Sequence, residues 1–146
     1  MKLLLADGRI DVNKADAKHT TPFFSVCSSF KGTYLEVLKL LLIDERVDVN
    51  LTNEDEETPL IYLIHWGNLQ VAQYIIASGK GLILGAKDIH KKTAMDWAQK
   101  KKYKSIVELL KSLEKNPSET RSKLSKELGI INFYLMFDFM ILFYFY

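Results

Sequence analysis

The sequence holds one cysteine, Cys27, in 146 residues. An internal disulfide is therefore excluded, and a lone thiol fits a reducing compartment, with the cytosol the default. Histidine is almost as scarce: His19, His65 and His90 are scattered and stand at no metal-ligand spacing with Cys27. A nucleophilic Cys27 needs a base beside it, and nothing in the sequence supplies one, so it reads as a packed core thiol. An excess of one charge is missing too. Lysine and arginine number 20 against 18 aspartates and glutamates, whereas a nucleic-acid binder is normally strongly basic. The apolar run Leu3-Leu4-Leu5-Ala6 is too short for a secretory signal and lies between Lys2 and Asp7. The glycines of Gly79 to Gly85 follow an expected helix rather than a strand and lack the Gly-Lys-Ser/Thr ending of a phosphate loop, so they read as a helix stop and a loop. No catalytic set, metal site or cofactor motif emerges, and a non-enzymatic role is expected.

What the chain has is repetition. "KLLLADGRIDVNKAD", Lys2 to Asp16, recurs as "KLLLIDERVDVNLTN", Lys39 to Asn53, 37 residues on. "TTPFFSV" from Thr20 recurs at the same shift as "ETPLIYL" from Glu57, and a weaker third copy, "KTAMDWA" from Lys92, follows 35 later. Each unit opens on a threonine, at Thr21-Pro22, Thr58-Pro59 and Thr93-Ala94. Threonine caps a helix and proline suits its first turn. A turn, clearest at Trp66-Gly67-Asn68, leads into a second helix: Leu35 to Leu42, Leu69 to Ile76 and Lys104 to Leu113. Apolar residues there recur every three or four positions, the pattern of a buried helical face. Polar links carrying Asp-Val-Asn, at 11–13 and 48–50, join the units. Two short helices cannot bury their apolar faces alone, so an all-α solenoid of helix-turn-helix units is expected.

The pattern resembles the ankyrin repeat, a unit of about 33 residues with a Thr-Pro-Leu-His-x-Ala signature. Thr58-Pro59-Leu60, Gly67-Asn68-Leu69-Gln70-Val71, Lys39-Leu40-Leu41-Leu42 and Asp48-Val49-Asn50 carry the resemblance. The signature histidine is replaced by Phe24, Ile61 and Asp96, which is expected to weaken the bonding at the helix caps. The resemblance covers residues 1–113: a half repeat at 1–15, then repeats at about 16–52, 53–87 and 88–113. The second unit carries extra residues in Ser28 to Tyr34, expected as a longer turn. Residues 114–129 look like the short helix that trails some protist ankyrin arrays, with Asn116 as cap, Pro117 and Glu119 in the first turn, Leu124 and Leu128 on one face and Gly129 as stop. Because Met1 falls inside a second helix, the array is expected to be truncated.

The resemblance implies a protein-binding module, in which partners meet the loop tips and the concave face formed by the first helices. It places Tyr62, His65, Trp66 and Trp97 on that face. The tip Glu54-Asp55-Glu56-Glu57 is wholly acidic, while the tips around Lys14 to Thr20 and Lys87 to Lys92 carry more lysine than aspartate. Tyr and Trp are frequent binding hot spots, and the acidic tip suits a protein partner with an apolar anchor and a basic rim. "AQKKKYK", Ala98 to Lys104, reads as a solvated turn against the alternative of a nucleic-acid or lipid patch. No cofactor, metal or nucleic acid is expected.

Residues 130–146 form an apolar tail in which only Asn132 and Asp138 interrupt Ile131 to Tyr146. As a helix it would span about 25 Å, short of the about 30 Å of a bilayer core. A membrane tether, a packed tail and translated noncoding sequence from an A/T-rich genome all fit it. The chain is accordingly expected to be a cytoplasmic protein-binding scaffold or adaptor, with a membrane-tethered adaptor and a non-functional fragment of a longer array as alternatives.

Leu41 and Leu109 are expected in second-helix cores. Replacing either by alanine is then expected to lower stability by about 2–5 kcal/mol in urea unfolding.

Overall fold

The computed structural model describes residues 7–29 and 34–130. These contain seven helices and no strand: α1 (Pro22–Ser28), α2 (Leu35–Ile43), α3 (Pro59–Trp66), α4 (Leu69–Ala77), α5 (Ala94–Lys100), α6 (Lys104–Lys115) and α7 (Pro117–Glu127). The tail from residue 131, residues 1–6 of the half repeat and much of the longer turn before α2 lie outside the described residues.

Each pair begins as its threonine dictates. Thr21 Oγ1 accepts from the Phe24 amide at 3.1 Å, and Thr58 Oγ1 from the Ile61 amide at 3.2 Å. Thr93 does the same for Asp96, and the Asp96 carboxylate answers by accepting from the Thr93 amide at 2.8 Å. Replacing the signature histidine thus leaves the threonine cap intact in all three units, and at Asp96 it completes a capping box.

The first helices pack on one another, α1 on α3 and α3 on α5, and each packs on its own second helix. The second helices meet one another only weakly or not at all, and α7 turns back to lie against both α4 and α6. One core runs through the stack, with Phe23, Leu38, Leu41, Leu63, Ile64, Ile75, Ile76, Ile106 and Leu110 almost wholly buried. Leu41 lies in it as expected. Leu109 does not: it is half-buried, and Leu110, Ile106 and Leu113 supply the core face of α6. With 3.6 residues per turn, that buried set leaves position 109 at the edge of the stripe, so its replacement should cost less than that of Leu41.

The Asp-Val-Asn links are staples between units. Val12 and Val49 are buried. Asn13 Nδ2 donates to the Arg46 carbonyl at 2.7 Å while its Oδ1 accepts from the Asp48 amide at 2.9 Å. Asn50 does the same one unit later, donating to the Gly81 carbonyl at 2.8 Å and accepting from the Ile83 amide at 2.9 Å. At the far end, Asn116 closes α6 and opens α7: its amide donates to the Ser112 carbonyl at 2.8 Å, and its side chain caps Glu119. Gly129, at φ 63°, then ends the helix region as expected.

The turns between paired helices explain one glycine. Gly67 sits at φ 81°, and a Cβ there would lie 2.8 Å from the Tyr103 hydroxyl oxygen. The same position one unit on is Lys102, at φ 61°. Gly67→Ala is expected to destabilise by about 1–2 kcal/mol, the cost of a left-handed side-chain-bearing residue, plus the displacement of Tyr103. Lys102→Gly is expected to stabilise by about 0.5 kcal/mol, relief of strain exceeding the entropy of the freer unfolded chain. Urea unfolding of the two variants checks both signs.

Candidate functional site

Three loop tips stand at the starts of the first helices, and they are built alike. Asp16, Asn53 and Asp88 each open one. The side-chain oxygen of Asp16 accepts from the Lys18 and Thr20 amides, that of Asn53 from Asp55 and Glu57, and that of Asp88 from His90 and Lys92, all at 2.9–3.1 Å. The side chain thereby replaces the backbone partner a turn lacks. It also holds His19, Glu56 and Lys91 at left-handed φ of 55°, 57° and 58°. These turn-forming residues recur at the repeat spacing, a signal less conspicuous in the sequence than the charges beside them.

An aromatic row crosses the face of the first helices. Phe24 of α1 meets Tyr62 of α3 edge-on, with ring centroids 5.2 Å apart. Trp66 lies 6.1 Å from Tyr62 and 5.1 Å from His65. His65 stacks on Trp97 of α5 at 3.7 Å. The residues expected on this face divide sharply in accessibility. Trp66 is 57% exposed; Tyr62 and His65 are half-buried. Trp97 is only 4% exposed, which removes it from direct contact with a partner. Its indole N–H donates to the Asp88 carboxylate at 2.7 Å, and His65 covers the ring.

The acidic tip divides in the same way. Glu54, Asp55 and Glu56 are exposed, but Glu57 is buried. Its Oε1 shares a hydrogen bond of 2.7 Å with His65 Nδ1, and its Oε2 accepts from Asn53 Nδ2 at 3.0 Å. Glu57 is thus a structural partner of the inner face rather than part of a charged rim. Burying a carboxylate is costly unless it is bonded, and both of its oxygens are.

Electrostatics follow from these contacts. Burial alone would raise the Asp88 carboxyl, but the Lys92 amide, the Trp97 indole N–H and the His90 amide outweigh it and hold the group below the ordinary 3.8. Burial, and then the nearby Glu57 charge, raise the Tyr62 phenol. Burial also pushes the Cys27 thiol far up, which suits a packed and unreactive residue. No group of three or more His, Cys, Asp or Glu among the described residues could hold a metal ion.

On the opposite side, α4, α6 and α7 line an open groove of about 640 Å³, which no motif announces. Its walls include Gln73, Ser105, Leu109, Glu119, Lys123 and Glu127. It exists because α7 straddles second helices that stand apart.

Stacked helix pairs with a half-covered aromatic row on the first-helix face define a helical repeat protein. The family model for ankyrin repeats in three copies matches residues 23–121, and the chain belongs to the ankyrin repeat family. Ankyrin repeats are generally protein–protein interaction modules and are typically non-enzymatic. A search of curated proteins finds no match. Among the described residues, no helix is long and apolar enough to cross a membrane.

Asp88→Asn tests the buried bond. An amide satisfies the two backbone amides with its oxygen but turns its NH2 toward the indole N–H, leaving a donor unpaired. The expected cost at pH 7 is about 1–3 kcal/mol. Because the folded-state carboxyl lies below its ordinary value, its contribution is present above 3.8 and is lost as pH falls through the folded value. The stability gap between wild type and Asp88→Asn, followed by urea unfolding, should stay constant from pH 7 to 5 and narrow below about pH 4.

Proposed function

We propose that this chain is a non-enzymatic adaptor that seats a partner protein on the first-helix face, centred on Trp66 and Tyr62. The observation that carries the reading is the exposure of Trp66. An indole 57% open to solvent, beside the rings of Tyr62 and His65, is apolar surface left uncovered on the face the family uses for contact. Trp and Tyr dominate binding hot spots because they bury large area at small entropic cost. His65 belongs to the face as the support between Trp66 and Trp97, and Glu54, Asp55 and Glu56 form its charged edge at the tip. The single buried cysteine suits a reducing compartment such as the cytoplasm.

The test starts from a partner captured by cross-linking in native lysate. Trp66→Ala is expected to weaken its binding by about 2 kcal/mol or more, roughly 30-fold in Kd. Lys111→Ala, on exposed α6, is the control and should change little. Equal loss in both variants, with circular dichroism showing both folded, overturns the assignment of the face.

A further inference from the structure

The reading above leaves the chemistry of the partner open, and the charges beside Trp66 specify it. We infer that the partner segment is acidic: an apolar side chain seats on Trp66, and neighbouring carboxylates meet Lys100 and Lys101. The inference rests on the proposed face and deepens it.

The geometry runs from ring to ring. Trp66 is 5.1 Å from His65, His65 is 3.7 Å from Trp97, and the Lys100 and Lys101 ammoniums lie 4.5 and 5.9 Å from the Trp97 centroid. Bare indole and ammoniums are thus joined by contacts each under 6 Å. Trp66 and Lys101 also occupy equivalent positions in successive units, 35 residues apart. Packed helix axes stand about 8–10 Å apart, which brings the two within reach of one peptide. Cation–π attraction holds both ammoniums over the ring, so less side-chain freedom remains to be lost on binding.

These lysines lack competing carboxylates. Among the described residues, none of Lys100, Lys101, Lys102 and Lys104 is in an ion pair. Carboxylates of the same units are bonded elsewhere: Glu57 to His65, Asp88 to Trp97, Asp96 to Thr93 and Glu108 to Lys111. The acidic tip stands at the other end of α3, whose eight residues span about 12 Å. Its carboxylates disfavour laying the acidic part of such a segment across Glu54 to Glu56. The expectation of a basic rim followed from assigning the tip to Trp66; Lys100 and Lys101 are joined to Trp66 through Trp97 and His65 and offer the opposite charge. A nucleic acid is the weaker fit, since strand binding uses several exposed stacking platforms and among the described residues of the first helices only Trp66 is an exposed aromatic.

The test is fluorescence anisotropy of the full chain with labelled peptides carrying one leucine beside a run of glutamates, or of glutamines or lysines at the same positions, and with a single-stranded oligonucleotide. The acidic peptide should bind at least about tenfold more tightly than the glutamine peptide. Its binding should weaken with added salt. Lys100→Gln/Lys101→Gln should cost it about tenfold or more, Trp66→Ala should also weaken it, and Lys111→Gln should not. Absence of acidic-peptide binding at about 1 mM overturns the inference, as do equal or tighter binding of the glutamine or lysine peptide or of the oligonucleotide, and an unchanged double-lysine variant. Trp66-dependent binding of a neutral or basic peptide would overturn the acidic specificity while leaving the proposed face standing. A captured partner indifferent to Trp66→Ala would overturn the face itself.

Discussion

The stack of His65 on Trp97 ties two repeats together and terminates a polar chain on each side. His65 reaches Glu57 and, through it, Asn53; Trp97 reaches Asp88. Asn53 and Asp88 in turn hold closed the tips they open. The loops that project from the array are therefore anchored in the same contact that joins its units, and the Asp55 carbonyl, accepting from the Ile89 amide at 3.0 Å, ties the two tips again. Asn53, Glu57, Asp88 and Trp97 each meet a partner of opposite hydrogen-bonding sense, as burial requires, whereas the buried Arg121 Nε meets none.

That requirement explains a difference the repeat pattern alone leaves arbitrary. Position 53 is asparagine and its equivalent, 88, is aspartate. Both use one oxygen to hold the tip. The second arm of the side chain meets a carboxylate at Glu57 in one unit and an indole N–H at Trp97 in the other. An acceptor needs the amide donor; a donor needs the carboxylate. The tip residue is thus chosen by the group its own unit presents to it, and exchanging the two would put like groups together in each unit.

Much of the fold was legible because repetition and helical period both write themselves into the sequence. Thr21, Thr58 and Thr93 mark helix starts, and Gly67 marks a turn, each through local bonding that needs no neighbour. Burial within the face was less legible, since it depends on the adjacent repeat. Tyr62 and Trp97 are equivalent in the alignment, yet one is half-buried and the other closed, because His65 covers Trp97 and Asp88 gives its N–H a partner. Glu57 looked like tip charge, as sequence neighbours of Glu54 to Glu56 do; only the approach of His65 from eight residues on turns it inward. Leu109 and Leu110 differ by one step of helical phase, a distinction an apolar stretch does not settle by itself.

The same logic says where this chain is free to vary. At the tip, buried bonds dictate the residue. At the far end of the first helices the equivalent positions are Ser29, Trp66 and Lys101, which share no chemistry. Nothing in the core selects an exposed indole at one and an exposed ammonium at the next, and exposed apolar surface carries a solvation cost that folding does not require. A scaffold that fixes side-chain positions through buried contacts while leaving their identity open gives each unit an independent choice of surface chemistry. Here the choices alternate, carboxylates at Glu54 to Glu56 between two lysine-bearing tips, and at the far ends of the helices an indole in one unit and an ammonium in the next.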